Sequence, residues 1–260
     1  MRGSGTGHMR TREATLSAQS DVQARIWDNW ADHYAADSAG NLPPEDAVKT
    51  LTGLSAAGPA LELGVGDGRL ALPLAAAGIP VTGIDASPRM LDALHARRGS
   101  LPVRTVLGDM AEPDLSDGPY QLVYCAASTF FLLLDQNQQT ACVHNAARLL
   151  TPGGTLVIEA AVPGGPALPL EDHTLVRALG DDFAKVTFAL HDRRAQTVQS
   201  QEIRFEPDGI RMLPAKKRYA YPGEIDLMAR LAGLRRAERW ANWRREEFTS
   251  HSPHHVTLYR

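Results

Sequence analysis

"ALELGVGDGRLALPLA", residues 60–75, is the stretch of sequence that decides the fold. Three glycines fall within five positions, after a short apolar run and before a segment with helical periodicity. This pattern is typical of a strand that turns sharply into a helix around a small ligand. The function depends on whether that ligand is a dinucleotide held by its phosphates or a molecule without phosphates.

The composition of the chain limits the classes of protein to which it can belong. The chain has 260 residues, of which 43% are hydrophobic and 22% charged, and a formal net charge of −3. These values indicate a globular protein without the basic field that attracts nucleic acid or a membrane surface. Two cysteines, Cys125 and Cys142, give neither a disulfide framework nor metal-ligand spacing, so we expect a cytoplasmic protein without a metal. Residues 1–10 resemble an expression scar and are set aside.

Alternating apolar and helical patterns predict an α/β fold with a parallel sheet covered on both faces. The predicted strands are 60–64, 80–85, 103–107, 120–126 and 154–161, and the helices are 20–38, 44–54, 68–77, 88–98 and 136–151. Residues 185–219 alternate with period two and predict two to four antiparallel strands. A helix at 222–233 and strands at 235–241 and 254–260 follow. We therefore expect N-terminal helices and a cofactor-binding core over 11–161, an inserted substrate or cap segment over 162–222, and completion of the core over 223–260.

Three acidic residues end successive predicted strands. Glu62, Asp85 and Asp109 are spaced by 23 and 24 residues, one strand-helix unit each. In an open parallel sheet they would line the edge where ligands bind. The alternative is that these acids cap helices, but Ser87 followed by Pro88 is a better helix start and leaves Asp85 for a ligand.

The glycines favour a ligand without phosphates. Gly64, Gly66 and Gly68 read G-x-G-x-G, whereas the dinucleotide fingerprint has its third glycine one residue later. S-adenosylmethionine suits three carboxylates, since it carries a sulfonium and an ammonium against one carboxylate. Asp85 would accept the ribose hydroxyls, and Asp109 the adenine amine, with Met110 on the ring. A nicotinamide-dependent oxidoreductase and a non-catalytic binding protein are the rival interpretations.

Several further segments carry a family resemblance. "LELGVGDGRLALPLA", "VTGIDASPRML", "GDM", "YQLVYCAASTFFLLL" and "AARLLTPGGTLVIEA" resemble class I S-adenosylmethionine-dependent methyltransferases, in the small-molecule branch of natural-product tailoring enzymes and amino-sugar N-methyltransferases. The resemblance implies a Rossmann-like, seven-stranded, mostly parallel sheet whose last strand is antiparallel. It also implies a small antiparallel sheet inserted before the last two strands, and a loop at 125–129 that lines the methionine end of the donor.

The resemblance implies methyl transfer to a small-molecule acceptor, by N- or O-methylation, in bacterial natural-product biosynthesis. A C-methyltransferase of the same fold is the alternative. The Asn/Asp-Pro-Pro-aromatic signature of nucleic-acid methyltransferases does not follow the fourth strand. We therefore expect neither a nucleic-acid nor a membrane partner, although an exposed antiparallel edge could pair across a homodimer.

The candidate site residues fall into three groups. Those expected to bind the cofactor are Tyr34, Glu62, Gly64, Gly66, Gly68, Asp85, Ala86, Met90, Asp109, Met110 and Cys125. Those expected to bind the acceptor are Trp30, Thr129, Phe130, Phe131, Tyr219 and Tyr221. The candidate catalytic bases are Glu159, at the end of the fifth strand, and His191, in the inserted strands.

Overall fold

The computed structural model describes residues 18–41, 44–115 and 118–260, so the predicted scar at 1–10 lies outside the described residues. The helices are α1 (Ala18–Asn41), α2 (Glu45–Ser55), α3 (Ala71–Ala76), α4 (Pro88–Arg98), α5 (Gln136–Leu149) and α6 (Pro222–Leu231). The strands of the main sheet are β1 (Ala60–Leu63), β2 (Val81–Asp85), β3 (Val103–Leu107), β4 (Tyr120–Cys125), β5 (Leu150–Ala161), β10 (Arg236–Trp240) and β11 (His254–Tyr259). A short 3₁₀ helix covers Thr129–Leu132.

The main sheet has the predicted architecture. Its seven strands lie in the order β3-β2-β1-β4-β5-β11-β10. The strands β1 to β5 pair in parallel, and β11 runs antiparallel to both of its neighbours. The helices α2, α3 and α4 pack their apolar side chains on one face, and α5 and α6 pack on the other. Because the central strands are buried on both faces, their sequences are near-continuous apolar runs rather than alternating apolar and polar patterns.

A second sheet is inserted between β5 and α6. Its strands β6 (His173–Leu179), β7 (Ala184–Asp192), β8 (Thr197–Glu206) and β9 (Gly209–Arg218) pair antiparallel in chain order. The sheet begins at His173, twelve residues before the predicted start at 185. Most of β6 is exposed, so its sequence lacks the strict alternation of a half-buried strand.

Helix α1 joins the core to the inserted sheet. The Ser87 hydroxyl, which caps α4, donates to Asp28 Oδ1 at 2.6 Å, and Arg89 forms an ion pair with Asp32 at 2.7 Å. On the other side, Trp30 Nε1 donates to the carbonyl of Pro214 on β9 at 2.8 Å. These bonds hold α1 against both α4 and β9. No helix in the described part of the chain is long and apolar enough to cross a membrane.

Candidate active site

A cavity lies where β1, β2 and β3 end, at the edge predicted from the three acidic residues. It encloses about 690 Å³ with its open mouth included. Its lining residues come from α1, the strand ends and the segment after β4: Ser20, Gln23, Trp27, Tyr34, Gly64, Gly66, Ile84, Asp85, Ala86, Met90, Gly108, Asp109, Met110, Thr129, Leu132, Leu133 and Gln138. Strand topology thus brings together segments that are far apart in sequence.

The three glycines of the turn after β1 meet different surroundings, although all have positive φ. A Cβ on Gly64 would stand 2.2 Å from Cγ2 of Thr129, so the backbone passes close to the loop after β4. A Cβ on Gly66 would meet no heavy atom within 4 Å, and it would point into space at the cavity wall. A Cβ on Gly68 would press on Leu72 and Leu94. Only Gly66 therefore leaves room that a ligand would fill.

Asp85 ends β2 beside this turn. Its Oδ2 accepts from the Gly66 amide at 2.8 Å and its Oδ1 from the Ser87 amide at 2.9 Å. Burial raises the pKa of this carboxyl, while the amide hydrogen bonds from Ser87 and Gly66 act in the opposite direction. Each oxygen retains a second lone pair, so the carboxylate can accept further hydrogen bonds from a ligand.

Asp109 occupies the equivalent place after β3. Its Oδ1 accepts from the Ala111 amide at 2.8 Å, and the residue lines the cavity together with Met110. The predicted Ala86 and Met90 also lie in the wall. One side of the cavity therefore offers two carboxylates and two methionine side chains.

Glu62, Gly68 and Cys125 do not line the cavity. The carboxyl of Glu62 is buried under the turn, where Tyr124 donates to its Oε2 at 2.8 Å. Burial raises its pKa to about 8. Cys125 is buried in the core, and desolvation raises its thiol pKa well above the usual value.

Tyr34 reaches the cavity from α1. Its hydroxyl hydrogen-bonds Arg69, and burial, the dominant influence, raises its pKa. Because an ordinary tyrosine already has a pKa near 10, the Tyr34 hydroxyl stays protonated at neutral pH. It can orient a ligand there, but it is not a base.

The loop after β4 is held in an uncommon conformation. Ala127 and Ser128 have φ of 53° and 59°, in the left-handed region. Glu159 on β5 holds them, since its Oε2 accepts from the Ala127 amide at 2.8 Å and its carbonyl from the Ser128 amide at 3.1 Å. This places Thr129 in the cavity wall, whereas Glu159 itself does not line the cavity. Glu159 therefore holds the loop through hydrogen bonds and does not form part of the cavity wall.

Of the predicted acceptor-binding residues, Thr129 alone lines the cavity. Phe130 and Phe131 are fully buried in the core. Tyr219 is also buried, and Tyr221, 45% exposed, precedes α6. Trp30 lies behind the wall, against Trp27 and Pro214. His191 stacks on His173 in the inserted sheet and does not line the cavity.

Other lining residues were not predicted. Gln23 and Trp27 on α1 lie one turn apart, Leu132 ends the 3₁₀ helix, and Leu133 and Gln138 follow it. The available signal was spacing, because Gln23, Trp27 and Tyr34 share one face of a helix at i, i+4 and i+11. The sequence does not show what that face covers.

The cavity has the chemistry that S-adenosylmethionine requires. Among the described residues that line it, the charged side chains are Asp85 and Asp109, and there is no lysine or arginine to hold a phosphate. The open space at Gly66 also permits close approach of a ligand to the backbone.

Comparisons with known proteins agree with this geometry. The model of the family described as "Methyltransferase domain" matches residues 60–154. The cypemycin N-terminal methyltransferase of Streptomyces sp is 31% identical over 180 residues, which cover 67% of this chain and 71% of that protein.

Two solved structures have the same fold. The CcbJ methyltransferase from Streptomyces caelestis is 40% identical, with a TM-score of 0.85, and the match covers 90% of this chain and 97% of that one. CalS10 from Micromonospora echinaspora, an amino pentose methyltransferase solved with S-adenosylmethionine bound, has a TM-score of 0.64 at 19% identity, over 95% and 99% of the two chains. With the glycine turn, the acidic strand ends and the sheet order, these similarities show that the chain belongs to the S-adenosylmethionine-dependent methyltransferases and is an enzyme of that family.

Proposed function

We propose that this enzyme methylates an amine nitrogen of a small molecule in bacterial natural-product biosynthesis. The observation that carries the proposal is that no side chain lining the described part of the cavity suits the role of a general base for methyl transfer. Among the described lining residues, the ionisable side chains are Tyr34, Asp85 and Asp109. A hydroxyl acceptor needs a base, whereas a neutral amine already presents a lone pair.

None of these three groups suits the role of base. The raised pKa of Tyr34 keeps its hydroxyl protonated at neutral pH. Asp85 ends β2 and Asp109 follows β3, and these strands lie two and three positions from β4 in the sheet. At about 4.8 Å per position, they are displaced by roughly 10 and 14 Å from β4 across the sheet. We infer that they hold the ribose and the adenine instead.

We assign the donor-binding roles accordingly. Asp85 accepts the ribose hydroxyls, Asp109 accepts from the adenine amine, and Met110 packs on the adenine ring. The methionine part then lies over Gly64 and Gly66, beside Thr129. The reactive methyl faces the space between the turn after β1 and the loop after β4.

Methyl transfer depends on the positioning of the two reactants more than on acid or base catalysis. S-adenosylmethionine supplies a methyl group on a sulfonium, which is a good leaving group. The protein aligns the amine lone pair with the methyl–sulfur bond and excludes water, and both contributions are favourable to an in-line displacement. The amine gains the methyl group, the electrons of the broken bond pass to sulfur, and the amine proton leaves to solvent.

The name of one relative supports an amine acceptor. The relative from Streptomyces sp is named an N-terminal methyltransferase.

A reducing cytoplasm is the compartment that we propose, since Cys125 and Cys142 are both free and buried.

Matched acceptor pairs test the proposal. Each pair has one carbon skeleton with either an amine or a hydroxyl, and release of S-adenosylhomocysteine is measured for both members. We expect turnover with amines and none above background with hydroxyls. Turnover of hydroxyl acceptors without their amine counterparts would contradict the proposal.

We also propose a homodimer formed through the inserted sheet. The strand register places seven exposed apolar side chains on one face of this sheet: Val176, Leu179, Phe188, Leu190, Phe205, Ile210 and Met212. A contiguous exposed apolar face of this kind marks an interaction surface, and we infer that it packs on the same face of a second copy around a two-fold axis. Light scattering should show a dimer that Leu190→Glu and Met212→Glu together convert to monomer. A wild-type monomer at high protein concentration would contradict this.

A further inference from the structure

Two buried polar atoms on α1 have no hydrogen-bond partner in the described structure. They are Oε1 of Gln23 and Nε1 of Trp27. Both residues line the cavity, and Gln23 is only 7% exposed. Buried polar atoms are rarely left without a partner, because the desolvation penalty is then not compensated. An acceptor and a donor left unsatisfied one helical turn apart, in the wall of a ligand cavity, indicate a ligand that supplies both partners.

The environment of Gln23 fixes which atom of its amide is left over. Its Nε2 donates to the carbonyl of Leu132 at 2.8 Å and to the carbonyl of Lys216 at 3.0 Å. These two bonds use both amide hydrogens. The side chain therefore cannot be flipped without loss of two hydrogen bonds, and Oε1 remains as the unpaired acceptor.

Trp27 is held equally firmly. Its ring packs on Trp30 with centroids 6.1 Å apart and meets Tyr34 edge-on at 5.8 Å. The hydrogen bond from Trp30 to Pro214 fixes this aromatic group against β9. Both unpaired atoms thus sit on one turn of a helix that is anchored on two sides, and they need no rearrangement to bind a ligand.

We propose that Gln23 and Trp27 bind the methyl acceptor directly, an inference that rests on the amine-methylating function proposed above. Oε1 of Gln23 accepts the N–H of a primary or secondary amine. The indole N–H of Trp27 donates to an oxygen of the same molecule, so the acceptor class is an amine with a nearby hydroxyl, carbonyl or carboxylate oxygen.

The neutrality of Gln23 matters to the reaction. A carboxylate at this place would stabilise the ammonium form, whose nitrogen has no lone pair to attack the methyl group. A neutral carbonyl orients the N–H bond without favouring protonation. A tertiary amine has no N–H to offer Oε1, so methylation should stop at the tertiary amine, after two methyl groups on a primary amine and one on a secondary amine.

Two opposite substitutions separate this role from a purely structural one. Gln23→Lys keeps a donor for Leu132 and Lys216 but removes the acceptor. Gln23→Glu keeps an acceptor but loses both donors. The probe is sinefungin, the donor analogue that carries an amine in place of the transferable methyl group, and S-adenosylhomocysteine is the matched ligand without that amine. Calorimetry gives the affinity ratio of the two ligands, and thermal unfolding reports the fold of each variant.

We expect Gln23→Lys to lower the preference for sinefungin over S-adenosylhomocysteine at least tenfold, and Gln23→Glu to keep or raise it. The reverse order, with Gln23→Glu the damaging change, would overturn the inference in favour of a structural role. An equal loss for both ligands would also overturn it, by placing Oε1 on the methionine part of the donor.

Turnover measurements complete the test. Trp27→Phe, which keeps the ring and removes the donor, should raise the KM for amine acceptors while the Kd of S-adenosylhomocysteine stays within twofold. Unchanged acceptor KM in both Gln23→Lys and Trp27→Phe would refute the inference and leave the amine-methylating function intact. Failure of the wild-type enzyme to methylate any amine would instead refute the proposed function.

Discussion

Replacement of Gly64 by alanine tests how the turn after β1 meets the loop after β4. Gly64 has a φ of +74°, and its new Cβ would stand 2.2 Å from Cγ2 of Thr129. An alanine in the left-handed region costs about 1–2 kcal/mol. Forcing an extra carbon into a packed site costs about 1–3 kcal/mol more. We therefore expect Gly64→Ala to lower the free energy of unfolding by about 2–5 kcal/mol.

A substitution of Thr129 separates the backbone cost of the alanine from the steric cost of its new side chain. Thr129→Ser deletes Cγ2, after which the nearest Thr129 atoms to the new Cβ would be Cβ at 3.5 Å and Oγ1 at 3.8 Å, both ordinary contacts. The double variant should therefore regain about 1–3 kcal/mol of the loss and keep only the backbone cost of about 1–2 kcal/mol.

Chemical denaturation of the wild type, both single variants and the double variant measures this coupling. Gly66→Ala is the matched control. Its φ is +53° and no atom lies within 4 Å of its Cβ position. The Gly66→Ala variant should lose only about 1–2 kcal/mol of stability. It should bind the donor more weakly, because the new alanine side chain would occupy the cavity. Additive effects of Gly64→Ala and Thr129→Ser would refute the steric reasoning.

Three further predictions concern the acidic residues. Asp85→Ala should weaken donor binding by about 1.5–3 kcal/mol, and unchanged affinity in a folded variant by calorimetry would remove Asp85 from the ribose site. Glu62, whose pKa rises from 4.5 to about 8 on folding, should bind more protons in the folded than in the unfolded state between those values, so its contribution to stability declines as pH rises through that range. Urea titrations from pH 5 to 8 should show that Glu62→Gln flattens this decline, and parallel curves for variant and wild type would contradict it. Binding of the cationic donor should favour ionised Glu62 and release a proton near pH 7. Calorimetry in buffers of different ionisation enthalpy detects this proton. Binding enthalpies that do not depend on the buffer would show that the donor does not change the ionisation of Glu62.

The sequence predicts well the cavity wall that contains Gly66, Asp85 and Asp109, because local signals position these residues. A glycine turn and an acid at a strand end each lie beside the strand that positions them. Parallel topology then brings Gly66, Asp85 and Asp109 to one edge. The same reasoning predicts Glu62 at the ligand edge, but the alternation of a four-residue strand does not reveal that its carboxyl lies under the turn, within hydrogen-bond distance of Tyr124.

The wall where we propose that the acceptor binds is harder to predict, because it depends on how distant elements dock. Which face of α1 meets the cavity is set by its contacts with Ser87 and Pro214, far away in the sequence. Trp30 therefore packs on β9, and Gln23 and Trp27 line the wall instead. The apolar run after β4 likewise sends Phe130 and Phe131 into the core and leaves Thr129 at the cavity.

The pH dependence of kcat/KM with two amine acceptors of different pKa tests the central claim most directly. If the enzyme supplies no general base, the rising limb should follow the pKa of each free acceptor, since only its unprotonated form reacts. Glu62→Gln serves as the control for Glu62, because the pKa of this carboxyl, about 8, falls in the same range. The account predicts a limb that shifts with the acceptor in both the wild type and this variant. A limb fixed at one pH for both acceptors would assign the titration to an enzymatic base and contradict the account.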